Sequence, residues 1–207
     1  MTTEAPDNAT DLDAIVLAAG AGSRFGGGKL LAPWKHGVLL DGALAAAFAA
    51  PVRSVRVVWG ADERVRDAAT AFARAEEAEG RLKLVHAPRF ADGLSESLKA
   101  GVAALPADCA GAFIFLGDMP RIPRAVSRDL AAALKPGVQA AAPAFEGQRG
   151  HPVLFGRDLL PSLLTLGGDQ GAGALLKGLG PALALVPAPD DGVLYDVDRR
   201  EDLDPRP

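Results

Sequence analysis

The thirteen residues LAAGAGSRFGGGK, Leu17 to Lys29, place two cations among five glycines, Gly20, Gly22, Gly26, Gly27 and Gly28. Glycine turns let backbone N–H groups come close to a ligand because no Cβ stands in the way, and clustered amides of this kind bind anions. The guanidinium of Arg24 and the ammonium of Lys29 add positive charge suited to neighbouring phosphates. The loop follows the apolar run Ala14–Ala19. A strand ending in a phosphate-binding loop explains this order better than a solvated surface turn.

Two other phosphate loops fail on spacing. A dinucleotide-binding turn needs G-x-G-x-x-G, but after Gly20 and Gly22 the third position holds Phe25, and the glycine comes one later at Gly26. The next apolar run closes near Trp59 and Gly60 with no acidic residue placed for a ribose. A Walker loop needs glycine five residues before Gly-Lys and Ser or Thr after it; Ser23 and Leu30 stand there instead.

A second apolar run, Ala112–Leu116, ends in Gly117-Asp118-Met119-Pro120. Ligands of open α/β sheets collect beyond the carboxyl ends of the strands, so two parallel neighbouring strands would bring Asp118 to the phosphates. Bare contact is unfavourable, since like charges at about 4 Å repel by roughly 4 kcal/mol at an effective dielectric near 20. Magnesium reverses the sign, because it is usually held by one or two carboxylates plus substrate phosphates. Asp118 is the first candidate ligand; capping of the turn before Pro123 is its structural alternative. The second comes from Asp196-Val197-Asp198, whose carboxylates share a face if the segment is a strand. Asp198 is preferred over Asp196 because it ends that strand; capping of a helix starting at Glu201-Asp202-Leu203 is its structural alternative.

The rest of the chain has to position these groups. With 207 residues and 49% hydrophobic content it is expected to form one domain with a substantial core. A formal charge of -4 argues against a nucleic-acid partner. No apolar run reaches the length of a membrane span, and the start lacks the basic-then-apolar order of a signal peptide, so a cytoplasmic protein with no membrane partner is expected. Cys109 stands alone, which rules out an intrachain disulfide, and reads as a small buried hydrophobe.

Polar, acidic residues 1–13 read as a flexible N-terminal tail ahead of a domain covering 14–207. Expected strands are Ala14–Ala19, Val55–Trp59, Leu82–His86, Ala112–Leu116 and Val138–Ala142, and expected helices are Leu40–Ala49, Glu63–Ala78, Ser95–Leu105 and Arg124–Leu134. Beyond Pro143 follow a strand at His151–Phe155, helices near Arg157–Leu163 and Ala172–Lys177, and strands near Leu183–Val186 and Val193–Val197. Strands apolar on both faces, alternating with helices, predict a single-domain α/β fold: a mostly parallel, Rossmann-like sheet with helices on both faces.

Six segments occur in order: LAAGAGSRFGGGK, GLSESLKAG (Gly93–Gly101), LGDMP (Leu116–Pro120), GQRGHPVLF (Gly147–Phe155), GDQGA (Gly168–Ala172) and DVDRREDL (Asp196–Leu203). Together they resemble the MobA-like nucleotidyltransferases, in particular the molybdenum cofactor cytidylyltransferase branch. The resemblance implies Mg²⁺-dependent transfer of CMP from CTP to a phosphorylated acceptor, molybdopterin or the molybdenum cofactor, with release of pyrophosphate. It implies that the loop from Gly20 through Gly22, Ser23 and Gly26 holds the triphosphate with Arg24 and Lys29. Leu17, Ala18 and Ala19 match the cytidine-type pattern; guanine-using relatives tend to carry Gly at the place of Ala19. Ser95 and Ser97 match base- and ribose-facing serines, with N-capping by Ser95 the plain alternative. Arg149, His151 and Asp169 fall in segments that face the acceptor in such relatives, and a molybdoenzyme maturation protein is the implied macromolecular partner.

Two departures concern the acceptor. Gly173 stands where relatives often carry Arg, and Asp198-Arg199-Arg200-Glu201 replaces a Pro-containing loop, with the paired arginines free to supply acceptor contacts. The competing readings are transfer to a sugar, polyol or isoprenoid-precursor phosphate, use of GTP, an NADPH-dependent oxidoreductase of the same fold, and a non-catalytic nucleotide-binding protein.

Overall fold

The computed structural model describes residues 11–168 and 172–203. Runs rich in β-branched and aromatic residues form its strands: β1 (Leu12–Ala18), the short hairpin β2 (Pro33–Trp34) and β3 (Gly37–Val38), β4 (Ser54–Trp59), β5 (Leu82–His86), β6 (Gly111–Leu116), β7 (Ala140–Phe145), β8 (Gln148–Arg149), β9 (Val153–Gly156) and β10 (Leu183–Pro187). Between them lie α1 (Leu39–Ala49), α2 (Glu63–Ala75), α3 (Leu94–Ala103), α4 (Val126–Ala133), α5 (Leu160–Leu163) and α6 (Gly173–Gly178).

One sheet in the order β10-β7-β9-β6-β1-β4-β5, with β8 beside β7, runs through the molecule. β1 pairs in parallel with β4 on one side and β6 on the other, and β4 with β5. β9 is antiparallel to both β6 and β7, so the sheet is mixed but mostly parallel, as the alternating pattern predicts. Side chains alternate between its faces. Ala14, Val16, Phe113 and Phe115 point towards α1, α2 and α4, where they meet Leu40, Leu44, Val65 and Leu130. Ile15, Leu17, Ala112 and Ile114 point the other way and meet Leu98 and Val102 of α3, Leu163 of α5 and Leu176 of α6. Burying each large side chain contributes about 1.5–3 kcal/mol, so both faces are needed to hold the sheet.

Boundaries differ from the sequence reading where periodicity is blunt. β1 begins at Leu12, inside the expected tail, because the buried Asp13 carboxylate is bonded within the fold; residues 1–10 of that tail lie outside the described residues. α2 stops at Ala75, and Glu77 adopts φ +52, which no helix continues. β7 is shifted towards Phe145. The strand expected at Val193–Val197 is absent: Asp191–Val193 is a 3₁₀ turn and the chain then runs on without a ladder. Its apolar spacing reflects Val193 and Val197 entering two different clusters of the core. Among the described residues, no helix is long and apolar enough to cross a membrane.

Candidate active site

β1 and β6 are adjacent and in register at Leu17 and Leu116, so the loops that follow them leave the sheet side by side. The Gly117 amide donates to the Leu17 carbonyl at 2.9 Å, holding the two loops together at their roots. α1 supports the second loop from beneath: a Cβ on Gly42 would fall 2.2 Å from the Pro120 carbonyl oxygen, a contact only glycine permits. After β1 the chain turns through Gly22, Gly26, Gly27 and Gly28, all with positive φ, and the Gly22 carbonyl accepts from both Phe25 and Gly27. The amides of Gly20, Ala21 and Gly22 bond to no partner among the described residues, leaving donors for an anion.

The third segment arrives by burial, not by pairing. Val197 is fully buried against Phe25, Trp34 and Leu39, with Tyr195 packed alongside. Its amide donates to the Asp118 carbonyl at 3.1 Å. A single anchor therefore seats Asp198 beside the glycine loop and next to Asp118. The charges then converge: Lys29 Nζ lies 2.6 Å from Asp118 Oδ2 and 3.6 Å from Asp198 Oδ1, and Arg24 Nη1 lies 3.1 Å from Asp198 Oδ2. Asp198 does not cap the following 3₁₀ turn, Arg200–Asp202; the Asp202 carboxylate does, accepting from the Asp198 and Arg199 amides at 3.0 and 2.7 Å. That pair of hydrogen bonds to Asp202 stiffens a loop that lacks proline. Partial burial, then the charges of Asp118 and Asp198, hold the Asp196 carboxyl above its ordinary value.

Two carboxylates already sharing one ammonium make a fitting seat for a small divalent cation whose other oxygen ligands come from phosphate. Among the described residues no group of three or more His, Cys, Asp and Glu side chains is arranged as a metal site, so protein ligands alone do not complete one.

A cleft of about 540 Å³ opens from this cluster. Leu17, Ala18, Ala19, Gly20, Gly22, Lys29 and Asp118 line one side, and Ser97 the other. Ser23, Arg24 and Gly26 are exposed and outside this lining. Ser95 is fully buried and outside the lining; it does not cap α3, whose N-cap is Gly93 without a side-chain bond. Phe90 and Leu94 form an apolar wall that the sequence reading passed over, Phe90 being seated against Gly60. Arg149 and His151 line an adjoining smaller cavity, while Asp169 lies outside the described residues. Arg199 and Arg200 face a separate shallow hollow with Arg24; Arg200 stacks on Phe25 at 4.8 Å and Arg199 pairs with Glu201 at 3.5 Å.

The family model of the MobA-like NTP transferase domain matches residues 14–184. The molybdenum cofactor cytidylyltransferase of Escherichia coli K12 is 30% identical over 149 residues, 72% of each chain. Among solved structures, Rv0371c of Mycobacterium tuberculosis H37Rv superimposes with a TM-score of 0.73 at 26% identity, covering 94% of this chain and 95% of that one. A nucleotidyl transferase from Methanothermobacter thermautotroptrophicus gives a TM-score of 0.73 at 24% identity, covering 92% and 93%.

Proposed function

The chain belongs to the MobA-like NTP transferase family, and from that premise we propose that it transfers CMP from CTP to a phosphorylated acceptor, molybdopterin or the molybdenum cofactor, with Mg²⁺ and release of pyrophosphate. The observation that carries the reading is the Lys29 ammonium bracketed by Asp118 and Asp198 at 2.6 and 3.6 Å. The two carboxylates come from distant segments and meet at the mouth of a cleft with free amides.

Asp118 and Asp198 would hold the Mg²⁺, which when bound neutralises charge on the phosphate oxygens. The amides of Gly20 to Gly22 and the Lys29 ammonium cradle the triphosphate, and Arg24 reaches it from the rim. Ser97, Phe90 and Leu94 take the nucleoside side of the cleft. The Ala19 methyl in the cleft wall leaves less room for a purine, and the cytidylyltransferase named among the relatives supports CTP.

The acceptor phosphate is ionised at neutral pH, so no general base is assigned. Its oxygen attacks the α-phosphorus in line. The new P–O bond forms as the bond to the α,β-bridging oxygen breaks, and pyrophosphate leaves with that electron pair. Arg24 and Lys29 stabilise the charge building on the leaving group, so catalysis is chiefly positioning and electrostatics.

The test is pyrophosphate release with CTP or GTP, Mg²⁺, and molybdopterin, sugar phosphate or polyol phosphate. Release with CTP and molybdopterin is expected. Release with another acceptor alone would reassign the substrate. Thermal protection by NADPH, with CTP and Mg²⁺ giving none, would point to the oxidoreductase alternative.

A further inference from the structure

A cavity of about 380 Å³ lies between the glycine turn and the start of α2. It shares Gly20, Ala21, Lys29 and Leu30 with the nucleotide cleft, so the turn is a wall common to both. Phe90 and Ser97 line only the cleft, whereas Ala61, Asp62 and Arg64 line only this second space. The Ala61 amide donates to the Ala19 carbonyl at 3.2 Å, which ties the start of α2 to the root of the turn. Among the described residues, the charged side chains of the lining are Lys29, Asp62 and Arg64.

Asp62 and Arg64 form a pair that can open without loosening the helix. Arg64 Nε lies 2.9 Å from Asp62 Oδ1, and Nη2 lies 2.7 Å from Oδ2, a two-pronged bond. The Arg64 side chain is 72% exposed, and an ion pair so open to water contributes little to stability. Asp62 caps α2 by a different bond, Oδ1 accepting from the Arg64 amide at 3.0 Å, which does not depend on the guanidinium. Arg64 Nη2 also stands 4.0 Å from where a Cβ on Gly28 would sit, beside the turn. A fork that grips a carboxylate fits phosphate oxygens in the same way, and a phosphate can carry more charge than Asp62.

Resting on the transferase reading above, we propose that Arg64 is a further contact for the leaving group: its guanidinium exchanges Asp62 for the β- and γ-phosphates, which pass over Gly20 and Ala21 into the second cavity. When pyrophosphate departs, the guanidinium returns to Asp62. The carboxylate thus competes with the product for one cation and favours its release.

Calorimetry of the whole protein with Mg²⁺ and pyrophosphate tests this without nucleotide or acceptor. Arg64→Ala is expected to bind pyrophosphate about tenfold more weakly or worse, the usual cost of losing charge-assisted hydrogen bonds. Asp62→Asn keeps a good capping residue and should bind it several-fold more tightly, because Arg64 no longer has a partner to leave. That gain should vanish when Arg64→Ala is added to Asp62→Asn, and CMP affinity should stay the same in all three variants. A pair with only a structural role would move both single variants in the same direction. An unchanged pyrophosphate affinity in Arg64→Ala, a gain in Asp62→Asn that survives the loss of Arg64, or an equal loss of CMP affinity would overturn the proposal. Pyrophosphate binding that depends on Arg64, with no release from CTP and any acceptor, would instead sink the transferase reading.

Discussion

A Cβ placed on Gly22 would lie 2.9 Å from the Cβ of Lys29. Packed carbon atoms rest near 3.5–4.0 Å, so the Lys29 Cβ can stand this close only to a glycine. Gly22 also adopts φ +61, the left-handed region that costs an L-residue roughly 1–2 kcal/mol. Gly22→Ala should therefore push Lys29 away from Asp118 and open the loop. Calorimetry with CTP and Mg²⁺ is expected to show at least tenfold weaker binding, while the melting temperature drops by only a few degrees. An unchanged dissociation constant would mean that Lys29 tolerates the shift or does not hold the nucleotide.

Asp118→Ala removes a carboxylate from a site that the fold supports by other means, through Gly42 beneath Pro120 and the Val197 amide on the Asp118 carbonyl. The main chain should hold its place. Loss of one charge-stabilising group is typically worth about 2.7–4 kcal/mol in the transition state, or a factor of 10²–10³ in kcat. Pyrophosphate release under saturating CTP should fall a hundredfold or more, with the melting temperature little changed. Turnover near the wild-type rate would take Asp118 out of the chemistry.

Lys29→Ala should act earlier, on binding. The ammonium is the cation shared by Asp118 and Asp198; without it two carboxylates face each other and the triphosphate loses a counter-charge. Nucleotide affinity is expected to fall more than tenfold in low salt and by a smaller factor in high salt, where screening weakens what Lys29 contributes. Equal affinities for wild type and variant at both ionic strengths would show that the amides alone hold the phosphates.

Much of this arrangement was legible from spacing alone. Two apolar runs ending in a glycine loop and in Gly117-Asp118 imply loops side by side if the strands are parallel neighbours, and β1 and β6 are. Asp198 was legible as a candidate, but for a reason the structure replaces: it is seated by the burial of Val197 against Phe25 and Trp34, not by strand alternation. Such anchoring joins residues far apart in the chain, and no local period announces it. Phe90 and Leu94 escaped notice because an apolar residue beside a helix start looks like ordinary core. Arg53, Ser54 and Arg56 escaped because the strand around them was read for its valines, while their partner Asp13 was counted with a polar tail.

Gly173 and Arg149 form a pair that can be tested by overfilling. Arg149 Nη2 stands 3.8 Å from where a Cβ on Gly173 would sit, so Gly173→Arg would bring a second guanidinium close to the first. Like charges held close repel, so the two guanidinium groups are expected to move apart and Arg149 to shift from its place in the cavity. If Arg149 is the group that meets the acceptor phosphate, the variant should raise KM for the acceptor several-fold and leave CTP affinity unchanged. A change in CTP affinity instead would place Arg149 with the nucleotide.

Asp13 governs stability at the end of the sheet opposite the cleft. Its carboxylate is fully buried and accepts from Ser54 Oγ at 2.6 Å, Arg56 Nη1 at 2.7 Å and Arg53 Nε at 2.9 Å. Burial alone would raise its pKa, but the hydrogen bonds from Ser54, Arg56 and Arg53 outweigh it and hold the group below the ordinary carboxylate range. A carboxylate with a depressed folded-state pKa stabilises the fold above its unfolded value, about 3.9. That contribution is lost as the pH falls through the lower folded value. Asp13→Asn leaves the Arg56 guanidinium buried without its counter-charge, which typically costs about 3–5 kcal/mol. Urea unfolding should therefore show a wide gap between wild type and variant near pH 7, which begins to narrow only below the unfolded carboxylate value of about 3.9 and closes as the pH falls through the lower folded one. A gap that stays constant across that range would show that Asp13 acts through packing rather than charge.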